Sequence, residues 1–263
     1  MALSVAQVKK FQDDGYLVID SLIPHETLDT VANNFRDFWR GGEKPANVAY
    51  ADFNRIQDAW KINGAVKSLA TFPTILSALH DLYQCRPMPF QTLNFYKGTE
   101  QKIHSDSIHF NSEPFGLMCG VWVALEDIGP DQGPLVFYPG SHHLPEMNFE
   151  EMGLEADYKN YPKYEAYLDK LVKERGLQPE YGTIKKGQAL IWAANLLHGG
   201  SRQKDKSLTR ESQVTHYYLE GAHPWRPGMS QTQRHYFEPE WIPYPRNRLA
   251  EALNVKRLLR RWF

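Results

Sequence analysis

The sequence predicts a mainly β protein, a double-sheeted sandwich or barrel with a helical layer at its N-terminus. Three observations carry that expectation. Helix signals crowd the chain before Pro89. From Pro89 onward the texture shifts to short β-rich runs at 90–96, 117–125, 135–138, 189–192 and 212–219, divided by Gly, Pro, Asn and Asp. No internal repeat, low-complexity tract or linker divides the chain. One domain over 1–263 is therefore expected, with a helical layer at about 1–88, a β core at about 89–220 and a C-terminal extension over 221–263.

The elements justify themselves in order. Ser4 and Gln7 stand three apart as a capping box, Val5, Val8 and Phe11 follow at helical spacing, and Gly15 ends the run. Tyr16 to Ile19 reads as a short strand. Pro24 suits the first turn of a second helix carrying Leu28, Val31, Phe35 and Phe38, and Gly41-Gly42 stops it. A third helical stretch spans 68–83, interrupted near Pro73. Between 141 and 181 an insert rich in Tyr, Glu and Lys places Tyr161, Tyr164, Tyr167 and Leu171 at near-helical spacing, a partly helical excursion over one mouth of the barrel.

Composition narrows the function. The 263 residues are 42% hydrophobic, enough for a large core without a disulfide or metal staple. Thirty Lys+Arg oppose thirty-one Asp+Glu, a net charge of −1, which argues against a general nucleic-acid binder. Cys85 and Cys119 stand apart and outside any CxxC pattern, pointing to a reducing compartment. No signal peptide or membrane span is visible, so a soluble, cytoplasmic protein is expected.

The chemistry-bearing signal is His104-Ser105-Asp106. In an extended strand residues two apart share a face, so imidazole and carboxylate converge. That is two thirds of a 2-His-1-carboxylate triad, the arrangement that holds non-haem Fe(II) with open positions. Two solvated side chains on a strand edge are the plain alternative. His198 follows the apolar run from Ala189 and precedes Gly199-Gly200. It reads either as a core histidine or as the third ligand, and the glycines admit a close backbone approach. Farther on, Arg210 and Ser212 share strand parity and suit a carboxylate, although Arg210 alone also reads as one half of a surface ion pair.

Taken in order, His104-Ser105-Asp106, Trp122, Gly133-Pro134-Leu135, Pro139-Gly140-Ser141-His142, His198 and Arg210-Glu211-Ser212 resemble the phytanoyl-CoA dioxygenase family. The likeness runs from about Phe11 to Tyr218. It implies a double-stranded β-helix (a cupin-like jelly roll) and an oxygenase dependent on Fe(II), 2-oxoglutarate and O2 that releases succinate and CO2. His104, Asp106 and His198 would then be the iron ligands. Arg210, with Ser212 beside it, would bind the distal carboxylate of 2-oxoglutarate, and Trp122 would pack along that co-substrate. Asp106 disfavours the halogenase variant, in which a small residue replaces the carboxylate. Neither His142 nor His143 is expected to bind metal.

Substrate contacts are less determined. Gln91 and Asn94 are placed to line the cavity near iron, and His109 and His216 read either as site neighbours or as loop and core residues. The run Asn54 to Trp60 suits a polar ligand or an ordinary element whose Trp60 packs inward. The prime substrate is expected to be a small metabolite or acyl compound oxidised at an unactivated C–H. A non-redox ligand-binding jelly roll and a metal-dependent isomerase remain the alternatives. Over 245–263 six basic residues face the single acid Glu251. A basic amphipathic helix there either docks on an anionic surface or partner, or packs on its own barrel.

Overall fold

The computed structural model describes residues 2–245. The basic C-terminal helix expected from the sequence lies outside them, Pro245 apart. In chain order the strands are β1 (Tyr16–Asp20), β2 (Tyr50–Ala51), β3 (Arg55–Gln57), β4 (Pro87–Phe95), β5 (Asn111–Glu113), β6 (Met118–Ala124), β7 (Leu135–Phe137), β8 (Glu180–Tyr181), β9 (Gln188–Ala193), β10 (His198–Gly200), β11 (Ser212–Leu219) and β12 (His223–Trp225). The helices are α1 (Val5–Asp14), α2 (His25–Asn34), α3 (Arg36–Trp39), α4 (Gly64–Ala70), α5 (Pro73–Tyr83) and α6 (Tyr161–Glu174).

Seven strands form one antiparallel sheet in the order β1-β9-β6-β11-β4-β3-β2. A three-stranded sheet, β10-β7-β8, belongs to the opposite wall, and β12 pairs with β5 at one side. This is the jelly roll anticipated from the sequence. Strand alternation sorts the large sheet into two faces. Val121, Val123, Ile191 and Tyr217 turn outward onto a core shared with Leu28, Val31, Leu69 and Leu79 of the helices. Trp122, Leu190, Trp192 and Val214 turn inward and meet Phe137 of β7. Each fully buried aliphatic side chain contributes about 2 kcal/mol on removal from water.

The capping box forms as expected: Ser4 N–H donates to Gln7 Oε1 at 2.9 Å, and Gln7 N–H donates to Ser4 Oγ at 3.2 Å. Pro73 separates α4 from α5 and takes the first turn of α5, where its missing N–H costs nothing. The second helix breaks after Asn34, and Arg36 restarts it as α3; Leu28, Val31 and Phe35 are buried. Strands β2, β3, β5 and β12 are too short for an alternation signal and escaped the sequence reading.

Candidate metal and co-substrate site

His104 belongs to no strand; it forms a single antiparallel bridge with His198. Ser105 is extended (φ −118°, ψ 147°), and Asp106 opens a 3-10 turn. The His-x-Asp pair was expected within a strand, and one extended residue between ligands achieves the same convergence. Gly199 and Gly200 explain how the arm reaches β10. A Cβ on Gly199 would stand 2.7 Å from Gln101 O, and one on Gly200 would stand 2.9 Å from Glu100 N. The close approach anticipated at the glycine pair is therefore that of the segment leading into His104. On the other side, the hydroxyl of Tyr164 in α6 accepts the Ser105 N–H at 3.1 Å. The insert is thus a brace as well as an excursion. Its buried face is Tyr164, Leu168 and Val172, whereas Tyr167 is exposed.

Ligand atoms of His104, Asp106 and His198 lie within 4.8 Å of one another, and all three residues are buried. Asp106 Oδ1 stands 3.9 Å from His104 Nε2 and 3.7 Å from His198 Nε2. Each imidazole donates its Nδ1–H to a backbone carbonyl, His104 to Lys102 O and His198 to Leu196 O, both at 2.9 Å. A carbonyl can only accept, so Nδ1 carries a proton in each ring and both Nε2 atoms face the carboxylate. Burial, reinforced by His198 nearby, lowers the His104 pKa to about 3, leaving the ring neutral. Burial alone would raise the pKa of Asp106, but the neighbouring His198 and His216 outweigh it and hold the group ionised, below the ordinary carboxylate range.

The second oxygen of Asp106 is occupied from the large sheet. Trp192 Nε1 donates to Oδ2 at 2.7 Å, and His216 Nε2 stands 3.5 Å from the same atom. Trp192, Gly120, His216 and Gln91 sit at matched register on β9, β6, β11 and β4. They form one inward rung, in which Gln91 Oε1 meets His216 Nδ1 at 2.9 Å. Gly120 makes the rung possible, because a Cβ there would lie 2.2 Å from the Trp192 ring.

Behind this cluster Arg210 is 2% exposed, and no carboxylate pairs with it among the described residues. Its Nη1 donates to Gly133 O at 2.9 Å, its Nε has no partner, and its guanidinium lies 5.6 Å from the Trp122 ring. Burial lowers its pKa to about 10, so it stays charged at neutral pH. The alternative of a surface ion pair is thereby removed. Ser212 departs from expectation: its hydroxyl donates to Arg210 O at 3.2 Å, and it is absent from the cavity lining, which Val214 supplies instead.

The cavity joining these groups has a volume of about 320 Å³, and Gln91 and Trp122 both line it. Asn94 does not. It faces the helices and donates to Gln213 Oε1 at 3.1 Å, since its parity is opposite to that of Gln91. Arg55 and Gln57 of β3 line the cavity, while Trp60 packs on the helical core. His109 also lines it, its ring clustered with those of Tyr158 and Tyr161 at 5.7 and 5.3 Å. Tyr158, Phe110 and Arg226 escaped the sequence reading because nothing local marks them.

Fold and site together define an enzyme of the iron- and 2-oxoglutarate-dependent oxygenase type. The family model for phytanoyl-CoA dioxygenase matches residues 11–210, and the chain belongs to that family. Human peroxisomal phytanoyl-CoA dioxygenase is 23% identical over 235 residues, which cover 79% of this chain and 66% of the human protein. The zebrafish (Danio rerio) phytanoyl-CoA dioxygenase domain-containing protein 1 is 24% identical over 192 residues, covering 54% and 66%. The chain thus spans about two thirds of the length of these relatives. Among solved structures, EctD from S. alaskensis superposes with a TM-score of 0.68 at 19% identity, covering 92% of this chain and 85% of EctD. The carbocyclase SnoK of nogalamycin biosynthesis gives 0.66 at 16% identity, covering 90% and 95%. Among the described residues no helix is long and apolar enough to cross a membrane.

Proposed function

We propose that the chain, a single catalytic domain, oxidises an unactivated C–H of a small metabolite or acyl compound, with His104 Nε2, Asp106 Oδ1 and His198 Nε2 holding ferrous iron. When bound, iron together with 2-oxoglutarate and O2 supplies the oxidation, releasing succinate and CO2. The donor set suits that ion: two imidazoles whose Nδ1–H is taken by a backbone carbonyl and one ionised carboxylate, grouped within 4.8 Å. Trp192 and His216 hold Asp106 Oδ2 away from the metal position, so that Asp106 offers one oxygen. Arg210 binds the distal carboxylate of 2-oxoglutarate, and Trp122 flanks the co-substrate.

The observation that carries this reading is a buried, unneutralised guanidinium in the same cavity as the triad. Burying a charge is costly unless a counter-charge arrives, and a dicarboxylate co-substrate brings one. A non-redox binding module or isomerase leaves Arg210 without a task. The test is succinate formation from 2-oxoglutarate by the purified chain with Fe(II) and O2. Turnover that depends on all three supports the reading, and its absence with metal bound overturns it.

A further inference from the structure

The proposed reaction leaves one cavity-lining charge unused. Arg226 directly follows β12, whose Trp225 pairs with Asn111 of β5 and bridges to Tyr236. Its own N–H donates to His235 O at 3.0 Å, so its backbone is held from both sides. The guanidinium is stacked as well, 5.0 Å from the Phe110 ring and 4.3 Å from the Phe237 ring. Stacking orients a planar guanidinium while leaving its N–H edge free for two parallel hydrogen bonds. Among the described residues no carboxylate pairs with it, although it lines the cavity.

Charge counting gives this meaning. The fixed charges lining the cavity are Asp106, Arg55, Arg210 and Arg226. On the reading above, a divalent metal, Asp106, Arg210 and doubly ionised 2-oxoglutarate cancel. Arg55 has Asp52 in its own hairpin: Asp52 Oδ1 accepts the Arg55 backbone N–H at 2.8 Å, and the Arg55 side-chain charge acts on that same carboxylate. Arg226 is left over. Its neighbours are Phe110, whose ring lies 5.8 Å from that of His216, and Tyr158, stacked on His109. These belong to the metal side of the cavity, not to the Arg210 end.

We infer that the prime substrate is a compact anion whose carboxylate or phosphoryl oxygens are gripped by Arg226 through paired N–H bonds, with Phe110 and Tyr158 flanking its apolar body. Arg226 is thus a specificity residue, distinct from the co-substrate anchor Arg210. This rests on the oxygenase reading, and the test keeps the two separable.

The chain is loaded with Zn(II), saturated with 2-oxoglutarate to occupy Arg210, and titrated with benzoate, hexanoate and phenyl phosphate. Benzamide and hexanamide serve as uncharged mates. At least one acid should bind about tenfold more tightly than its amide, as a bidentate charge-assisted pair demands. Arg226→Gln should erase the preference and Arg226→Lys keep part of it. The ratio of benzoate to phenyl phosphate binding tells carboxylate from phosphoryl recognition. Equal binding of acids and amides, no acid binding, or a preference that survives Arg226→Gln overturns the inference and leaves Arg226 as a tie between Phe110 and Phe237. That structural role alone would lower the thermal midpoint of Arg226→Gln without altering the ratio. Failure of 2-oxoglutarate itself to bind the Zn(II)-loaded chain would instead overturn the oxygenase reading.

Discussion

His104 and His198 exchange both backbone hydrogen bonds, His104 N–H to His198 O at 2.8 Å and His198 N–H to His104 O at 2.9 Å. Their rings are 4.4 Å apart between centroids. Such a pair faces one side of its ladder, so two residues far apart in sequence are brought together by main-chain atoms alone.

Because the backbone holds the pair, the imidazoles are dispensable for folding. His104→Ala, His198→Ala or Asp106→Ala should bind Zn(II) or Co(II) at least about 100-fold more weakly and form no succinate. Far-ultraviolet circular dichroism should stay that of the parent. Metal binding unchanged by calorimetry in any of the three would remove the triad.

Among the described residues Arg210 has no competing acid to satisfy. Arg210→Ala should raise the KM for 2-oxoglutarate on the order of 10- to 100-fold, the range of one charge-assisted hydrogen-bonded pair. Arg210→Lys should recover only part of this, since an ammonium lacks the planar fork. A KM unchanged in steady-state succinate assays places the co-substrate elsewhere.

Gly120 governs Asp106 through Trp192. A Cβ 2.2 Å from the indole forces Trp192 aside and takes its N–H from Asp106 Oδ2. Gly120→Ala should lose about 1 to 3 kcal/mol in urea denaturation by overpacking, and about 10-fold or more in metal affinity. Trp192→Phe removes the donor without the clash and should reproduce the affinity loss with less destabilisation. Parent-like metal affinity in both variants would show that the rung does not position the carboxylate.

Burial, opposed by the nearby Asp106 charge, lowers the pKa of His109 from its ordinary value near 6.5 to about 4. Below pH 6.5 the unfolded chain therefore binds a proton that the folded chain refuses, and stability falls as pH drops towards 4. The ring keeps some contact with water, so its contribution between pH 7.5 and 5 is discounted to about 1 to 2 kcal/mol. His109→Gln should flatten the pH dependence of metal-free stability by that amount. Identical slopes for parent and variant in denaturant titrations would contradict the assignment.

Much of this protein was legible in the order of its residues. Spacing within ten or so positions is local information, so α1, the long strands and the His104/Asp106 pair were readable from periodicity, caps and parity. Gly199-Gly200 announced a close approach, though not what approaches. Family resemblance joined His198 and Arg210 to the pair, because motif order survives where pairing cannot be seen.

Tertiary structure decided the rest. Whether Arg210 sat in an ion pair or stood alone depended on which acids the sheets brought near it, and among the described residues none pairs with it. Ser212 and Asn94 shared motifs with site residues, yet local bonding and strand parity took both out of the cavity. Trp192, Gly120, His216 and Gln91 form a rung only when four strands lie in register, and Arg226 meets Phe110 only where β12 lies against β5. Side chains two residues apart on one strand converge by backbone geometry alone. Those that converge across strands do so through register, which is set by packing of the whole sheet and is written in no single segment.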